Sequence, residues 1–238
     1  MRHVVRHLKK CDPVLAGIIE QVGPLRIDRR PATYEAMARA IVFQQLAGAA
    51  ARTIFQRLQA ACEKAVGGEG GERSLYGGFK ITPESVLALT EEQMRACGLS
   101  RQKLSYLRDL AAKTISREVD FERLPDMSDD DVIEHLTRVK GIGTWSAQMF
   151  LMFALGRPDV MPTLDLGINN AIRKLYGKRK VPKAKQILKL AEKWRPYRTF
   201  ACWYLWRSMD TPAAIPPKQV EKRVRARAKV KAKKASAS

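Results

Sequence analysis

Apolar residues recur along this chain at steps of three and four, and no run alternates apolar with polar residues between turn pairs. The pattern predicts an all-α protein. Helices are expected near 13–22, 33–45, 48–65, 83–89, 91–97, 101–116, 129–138, 144–155, 166–176, 183–193 and 197–208. Asp12-Pro13 and Thr82-Pro83-Glu84 each place a capping side chain before a proline at the first helical position. Thr90-Glu91-Glu92-Gln93 and Ser128-Asp129-Asp130-Asp131 have the spacing of capping boxes. Gly98, Gly156 and Gly177 stand where helices should stop. Residues 67–80, GGEGGERSLYGGFK, read as a mobile glycine-rich loop. From 209 to 238 the periodicity fades into a basic tail expected to be disordered.

Composition adds a partner to this picture. The 238 residues hold 44 Lys and Arg against 24 Asp and Glu, a formal excess of +20. From Pro217 onward nine basic residues face one acidic residue, so the tail supplies eight of the twenty charges and the folded part carries the rest. Basic charge built into a folded domain releases counterions from a phosphate backbone, which points to nucleic acid. A membrane partner is not expected. No stretch approaches the roughly 18 apolar residues of a membrane span, and the start MRHVVRHLKKCDP lacks the apolar core and cleavage site of a signal peptide. These features predict a soluble intracellular protein, cytoplasmic in a bacterium or nuclear in a eukaryote. Cys11, Cys62, Cys97 and Cys202 are far apart, and His3, His7 and His135 form no ligand pair. No disulfide framework, side-chain metal site or cofactor is expected.

One stretch carries candidate chemistry. Between two predicted helices lies Val139-Lys140-Gly141-Ile142-Gly143, followed by Thr144 and Trp145. Two glycines permit a sharp turn. The N–H groups of Gly141, Gly143 and Thr144 would then converge at a helix start, an anion site suited to phosphate, with Ile142 pinning the turn to the core. Taken alone, such a spacing is better explained by a plain tight turn.

Its surroundings are more specific. The run LTRVKGIGTWSAQMFLMFALGRPDVMPTLDLGI (136–168) resembles the signature of the helix-hairpin-helix DNA glycosylase superfamily: a hairpin, a Gly/Pro-rich loop and an aspartate, here Asp165. The resemblance extends to IVFQQLAGAAARTIFQRL (41–58), GLSRQKLSYLRDLA (98–111) and WRPYRTFACWYLWR (194–207), and so covers most of residues 33–208. It implies a glycosylase unit over 1–208, built as two interleaved helical lobes with the active cleft between them and the hairpin on one rim. Helices near 33–116 would form one lobe, the hairpin and Asp165 would belong to the other, and the chain ends would pack together. The amino-terminal mixed α/β domain of some longer members has no room here.

The resemblance also implies roles. Bifunctional members carry a lysine nucleophile two residues after the second hairpin glycine; Trp145 stands there, and an indole cannot form a Schiff base. This places the chain with the alkylbase branch, 3-methyladenine DNA glycosylase II, as a monofunctional hydrolase acting as a monomer on double-stranded DNA with damaged bases. Asp165 would stabilise the oxocarbenium ion, and as a residue before a helix it is equally suited to capping. Trp145 and Trp206 would wall the base pocket, with Met149 at a position where some members have an aromatic. Lys140, Gly141, Ile142, Gly143 and Thr144 would hold DNA, although Lys140 replaces the family's usual proline. Gln44 or Gln45 would fill the gap left by the flipped base. Arg195 and Arg198 could meet phosphate or internal acids. Main-chain carbonyls of Thr137, Val139 and Gly141 are the family's monovalent-cation ligands. The alternatives are the same scaffold on hypoxanthine, uracil or an oxidised purine, and a non-catalytic DNA-binding module. Asp165 favours an enzyme, because a carboxylate facing DNA would only repel a pure binder's ligand.

Overall fold

The computed structural model describes residues 1–67 and 72–210. Within them the chain is all-α, with twelve α-helices, two short 3-10 turns and no strand. Met209 and Asp210, assigned above to the tail, complete the last helix; the remainder of the expected tail lies outside the described residues. No described helix is long and apolar enough to cross a membrane. The chain divides into two compact units, one continuous and one assembled from both ends of the described chain.

The continuous unit, Arg29–Gly156, contains α3 (Tyr34–Phe43), α4 (Gly48–Ala65), α5 (Pro83–Leu87), α6 (Glu91–Ala96), α7 (Arg101–Ile115), α8 (Asp129–Thr137) and α9 (Thr144–Phe153). Helix α7 is its centre: Leu107, Leu110 and Ala111 are wholly buried, and α3, α5 and α6 pack on it. Capping follows the sequence closely. Thr82 and Ser85 exchange side chain and backbone reciprocally, as do Thr90 and Gln93. Ser128 caps the Asp131 N–H, but Asp131 returns its carboxylate to the Ser128 hydroxyl and not to the backbone.

Two expectations change in this unit. The hairpin of α8 and α9 belongs here with α3 to α7, and not in the unit that holds Asp165. Polar groups on α7 and at the end of α3 bind it, as described below. Residues 72–80 are also not the loose loop expected from their glycines. The Gln59 amide, buried on α4, donates to the carbonyls of Gly77 at 2.6 Å and Phe79 at 2.8 Å, and Arg73 pairs with Phe79 across an antiparallel bridge. Residues 68–71 lie outside the described part.

The other unit joins Met1–Asp28 to residues 157–210. It contains α1 (Arg2–Cys11), α2 (Pro13–Val22), α10 (Leu166–Leu175), α11 (Ala184–Ala191) and α12 (Arg198–Asp210). Helices α1 and α12 pack on α2, and α10 packs on α12. Helix α1 was not expected, because Val4 and Leu8 are its only buried residues among six Arg, Lys and His. Two anchors one turn apart set a narrow apolar stripe too short to read as periodicity. The ends meet at Asp12. This buried carboxylate caps α2 through Val14 and Leu15 and accepts the Tyr176 hydroxyl at 2.6 Å, the Trp194 indole N–H at 2.8 Å and the Lys193 ammonium at 3.0 Å. Burial and the neighbouring Asp12 charge raise the Tyr176 pKa well above its ordinary value, so this hydroxyl remains a donor.

Candidate active site

The hairpin is shaped by one glycine and opened by the other. Gly141 has φ +79, and a Cβ added to it would fall 2.1 Å from the Tyr106 ring. Only glycine fits both demands. Gly143 has φ −99, an ordinary extended value, and a Cβ there would meet nothing within 4 Å. Of the two glycines expected to permit the turn, only Gly141 uses a conformation that other residues rarely adopt. Gly143 is the N-cap of α9 and supplies no side-chain cap. The first turn of α9 thus offers its N–H groups outward, beside exposed Thr144. Ile142 and Val139 are buried and anchor the turn, as expected for Ile142.

Helix α7 positions this turn. Asp109 accepts the Lys140 backbone N–H at 2.8 Å and pairs with Lys113 at 3.1 Å, while the Lys113 ammonium also caps the Arg138 carbonyl. Tyr106, one turn earlier, packs on Gly141, and its hydroxyl accepts from Gln102. Residues 102, 106, 109 and 113 are one helical face, a polar stripe that starts in the 98–111 segment and runs one turn past Asp109. The Lys140 ammonium is 67 % exposed and 3.9 Å from Asp109, so its charge faces solvent at the hairpin.

The two glutamines part company in the structure. The Gln44 amide donates to the Gly141 carbonyl at 3.0 Å, tying the end of α3 to the hairpin. Gln45 is exposed and adopts φ +56, a left-handed conformation uncommon outside glycine. Lys103 holds the loop from below, donating to the carbonyls of Val42 at 2.6 Å and Gln44 at 2.7 Å. Burial lowers the Lys103 pKa. Of the two glutamines, Gln45 is the exposed one. On α9, Trp145 in the first turn is 42 % exposed, and Met149, one turn on, is half-buried.

Asp165 lies in the other unit, at the N-cap of α10. Its Oδ1 accepts the Ile168 N–H at 2.7 Å and the Trp206 indole N–H at 2.9 Å. Trp206, expected as a pocket wall, therefore also fixes the carboxylate. Gly167 leaves room for this pairing, since a Cβ there would approach the indole at 3.1 Å and Asp165 Oδ1 at 3.2 Å. Asp165 is only 8 % exposed, yet Leu164 and Leu166 on either side are 64 % and 75 % exposed. Asn169, one turn along α10, was missed by sequence reasoning. It donates to the Thr163 carbonyl at 2.9 Å, and its Oδ1 is enclosed without a partner. Arg195 and Arg198 both turn to Asp159, at 3.0 and 2.8 Å, which resolves the choice left open above in favour of internal pairing.

With this geometry in place, the comparisons decide the family. The profile of the HhH-GPD superfamily base excision DNA repair proteins matches residues 38–196. The chain belongs to the HhH-GPD superfamily. Among curated relatives, DNA-3-methyladenine glycosylase 1 of Schizosaccharomyces pombe is 37 % identical over 206 residues, 85 % of either chain. Among solved structures, the 3-methyladenine DNA glycosylase Mag1 of the same yeast, in complex with abasic DNA, is 34 % identical with a TM-score of 0.72, covering 88 % of this chain and 98 % of that one. A DNA-3-methyladenine glycosidase from Bacillus halodurans is 32 % identical with a TM-score of 0.71, covering 87 % of each. As an HhH-GPD protein the chain is a DNA glycosylase of base excision repair.

Two of the three carbonyls expected to hold a monovalent cation each accept one hydrogen bond and keep a second lone pair. The Gly141 carbonyl accepts from Gln44 and the Val139 carbonyl from Ile142. Asp109 pairs with Lys113 and Lys140, and Lys113 also lies 4.0 Å from Glu118. Among the described residues no group of three or more His, Cys, Asp or Glu is placed to hold a metal.

Proposed function

We propose that this HhH-GPD protein is a monofunctional DNA-3-methyladenine glycosylase, which binds duplex DNA and hydrolyses the glycosidic bond of alkylated purines such as 3-methyladenine and 7-methylguanine. The observation that carries the reading is Asp165, a nearly buried carboxylate oriented by an indole N–H and a helix N-terminus. A residue needed only as a cap has no use for the second donor. Relatives named for 3-methyladenine support the substrate class.

The chemistry follows from the residues. The hairpin amides and Lys140 hold backbone phosphate, and Gln45 enters the gap left by the extruded nucleotide. An N3- or N7-alkylated purine is already cationic, so the electron pair of the breaking C1′–N bond neutralises the leaving base without an added proton. Positive charge moves to the sugar, where the Asp165 carboxylate stabilises it. Water adds to C1′, and its proton passes to Asp165 or to solvent, leaving an abasic site on an intact strand. Trp206, in the same unit as Asp165, offers a π-face to the cationic base; in the other unit Trp145 is an exposed aromatic and Met149 a polarizable side chain, each able to meet a base. No amine stands at position 145, which supports hydrolysis without strand cleavage.

The test is release of 3-methyladenine from methylated duplex DNA. Asp165→Asn is the informative variant, because Asn caps a helix as well as Asp and still offers Trp206 an oxygen. It should fold and bind DNA normally while base release falls by about a hundredfold or more. Unchanged release by this variant would sink the mechanism. A borohydride-trapped protein–DNA adduct in the wild type would refute the monofunctional assignment.

A further inference from the structure

The continuous unit holds a cluster of cations that the hairpin mechanism does not use. The guanidinium of Arg39, on α3, lies 3.8 Å from the centroid of the Phe43 ring and 4.8 Å from that of Tyr76. It thus lies within cation–π distance of two aromatic rings. Tyr76 comes from the loop that Gln59 holds against α4, and its ring also meets Phe55 edge-on at 6.1 Å. The Arg39 pKa is lowered by burial first and then by the charges of Arg30 and Arg52. Arg30 and Arg39 in turn both oppose the burial that raises the Tyr76 hydroxyl, which is enclosed without a hydrogen-bond partner. Arg30 is held by its backbone N–H on the Phe153 carbonyl at 2.8 Å, and Arg52 folds back to 3.8 Å from where a Gly48 Cβ would stand. Among the described residues none of the three has a carboxylate partner, in contrast to Arg195 and Arg198.

Three like charges gathered without a counterion are unfavourable alone, and a planar guanidinium presents its N–H groups in a fixed fork suited to phosphate. Position selects the ligand. Arg39 lies toward the end of α3, which stops at Phe43, and Arg52 in the first turns of α4, so the two arginines stand on either side of the loop that carries Gln45.

We propose that Arg39, held by Phe43 and Tyr76, forms with Arg30 and Arg52 a second backbone-phosphate site that grips duplex DNA beside Gln45 independently of the hairpin. The proposal rests on the DNA reading above. Phosphate contacts carry no base information, so the site serves damaged and undamaged duplexes alike. It also gives the glycine-rich loop a purpose, delivery of Tyr76 onto Arg39.

The experiment is fluorescence anisotropy of the full-length protein with a labelled undamaged duplex, from about 50 to 200 mM salt. Arg39→Gln/Arg52→Gln should weaken binding about five- to tenfold and flatten the log–log salt slope by about 0.9 for each phosphate lost. Lys140→Gln at the hairpin should lose affinity separately, and the losses should add, as expected of independent sites. Thermal midpoints check folding. If Arg39→Gln is destabilised, exposed Arg52→Gln carries the test alone, with a smaller loss of slope. A wild-type slope retained by the folded variants overturns the site while leaving the glycosylase reading intact. A loss restricted to lesion-containing duplex also overturns it. A wild-type protein without salt-dependent DNA binding overturns both readings.

Discussion

Gly141 and Gly143 look equivalent as letters, yet they meet different physical demands. At Gly141 a side chain encounters both a left-handed backbone and the Tyr106 ring; at Gly143 it encounters neither. Gly141→Ala should therefore destabilise the protein by about 1–3 kcal/mol from backbone strain alone, with the ring contact adding to it. Gly143→Ala should leave the thermal midpoint within error and weaken DNA binding, because its Cβ enters the space where phosphate approaches the α9 amides. Equal thermal midpoints for the two variants would contradict this division. Trp206 teaches the same lesson. Its aromatic character was legible in sequence, but its donation to Asp165 depends on a contact between residues 41 positions apart.

At the scale of elements, the hairpin is held from several directions. Its first helix, α8, carries His135, whose Nε2 accepts the Asp120 N–H at 2.9 Å. Burial, followed by the charges of Arg138 and Arg123, lowers the His135 pKa from its ordinary 6.5. The unfolded chain therefore takes up this proton at a higher pH than the folded one. The stabilisation is complete above pH 6.5, declines as pH falls toward the lower folded value, and is constant below both. The thermal midpoint should drop between pH 7 and 5, and His135→Gln, a neutral acceptor, should remove that part of the drop. An identical pH profile in the variant would assign the loss to other groups. Helix boundaries and caps were readable here because they are local: Thr82, Thr90 and Ser128 bond within three residues. The polar stripe of α7 was visible as spacing, but its partner, the hairpin, was not.

At the scale of the whole molecule, one unit exists only because the first 28 residues return to the end of the described chain. Asp12 is its keystone, with partners 164 and 182 residues away. Asp12→Ala leaves the enclosed Tyr176 hydroxyl and Trp194 indole N–H without their acceptor, while exposed Lys193 turns to water. The expected cost is about 1–3 kcal/mol for each stranded donor, with about 2–4 °C in thermal midpoint per kcal/mol for a domain of this size. A shift below 2 °C would show that water replaces the carboxylate at little cost.

The sequence by itself determined the all-α class, the helix starts, the hairpin with Asp165, and the basic character that points to DNA. These rest on periodicity, capping and charge, which act over one or two turns or over the chain as a sum. Only the tertiary structure decided that the hairpin folds with α3 to α7, that Gln44 is spent on Gly141 while Gln45 stays exposed, that Trp206 orients Asp165, and that Arg195 and Arg198 pair internally. Each of those outcomes depends on which distant group satisfies a buried donor, acceptor or charge, and that choice is made in space and not along the chain.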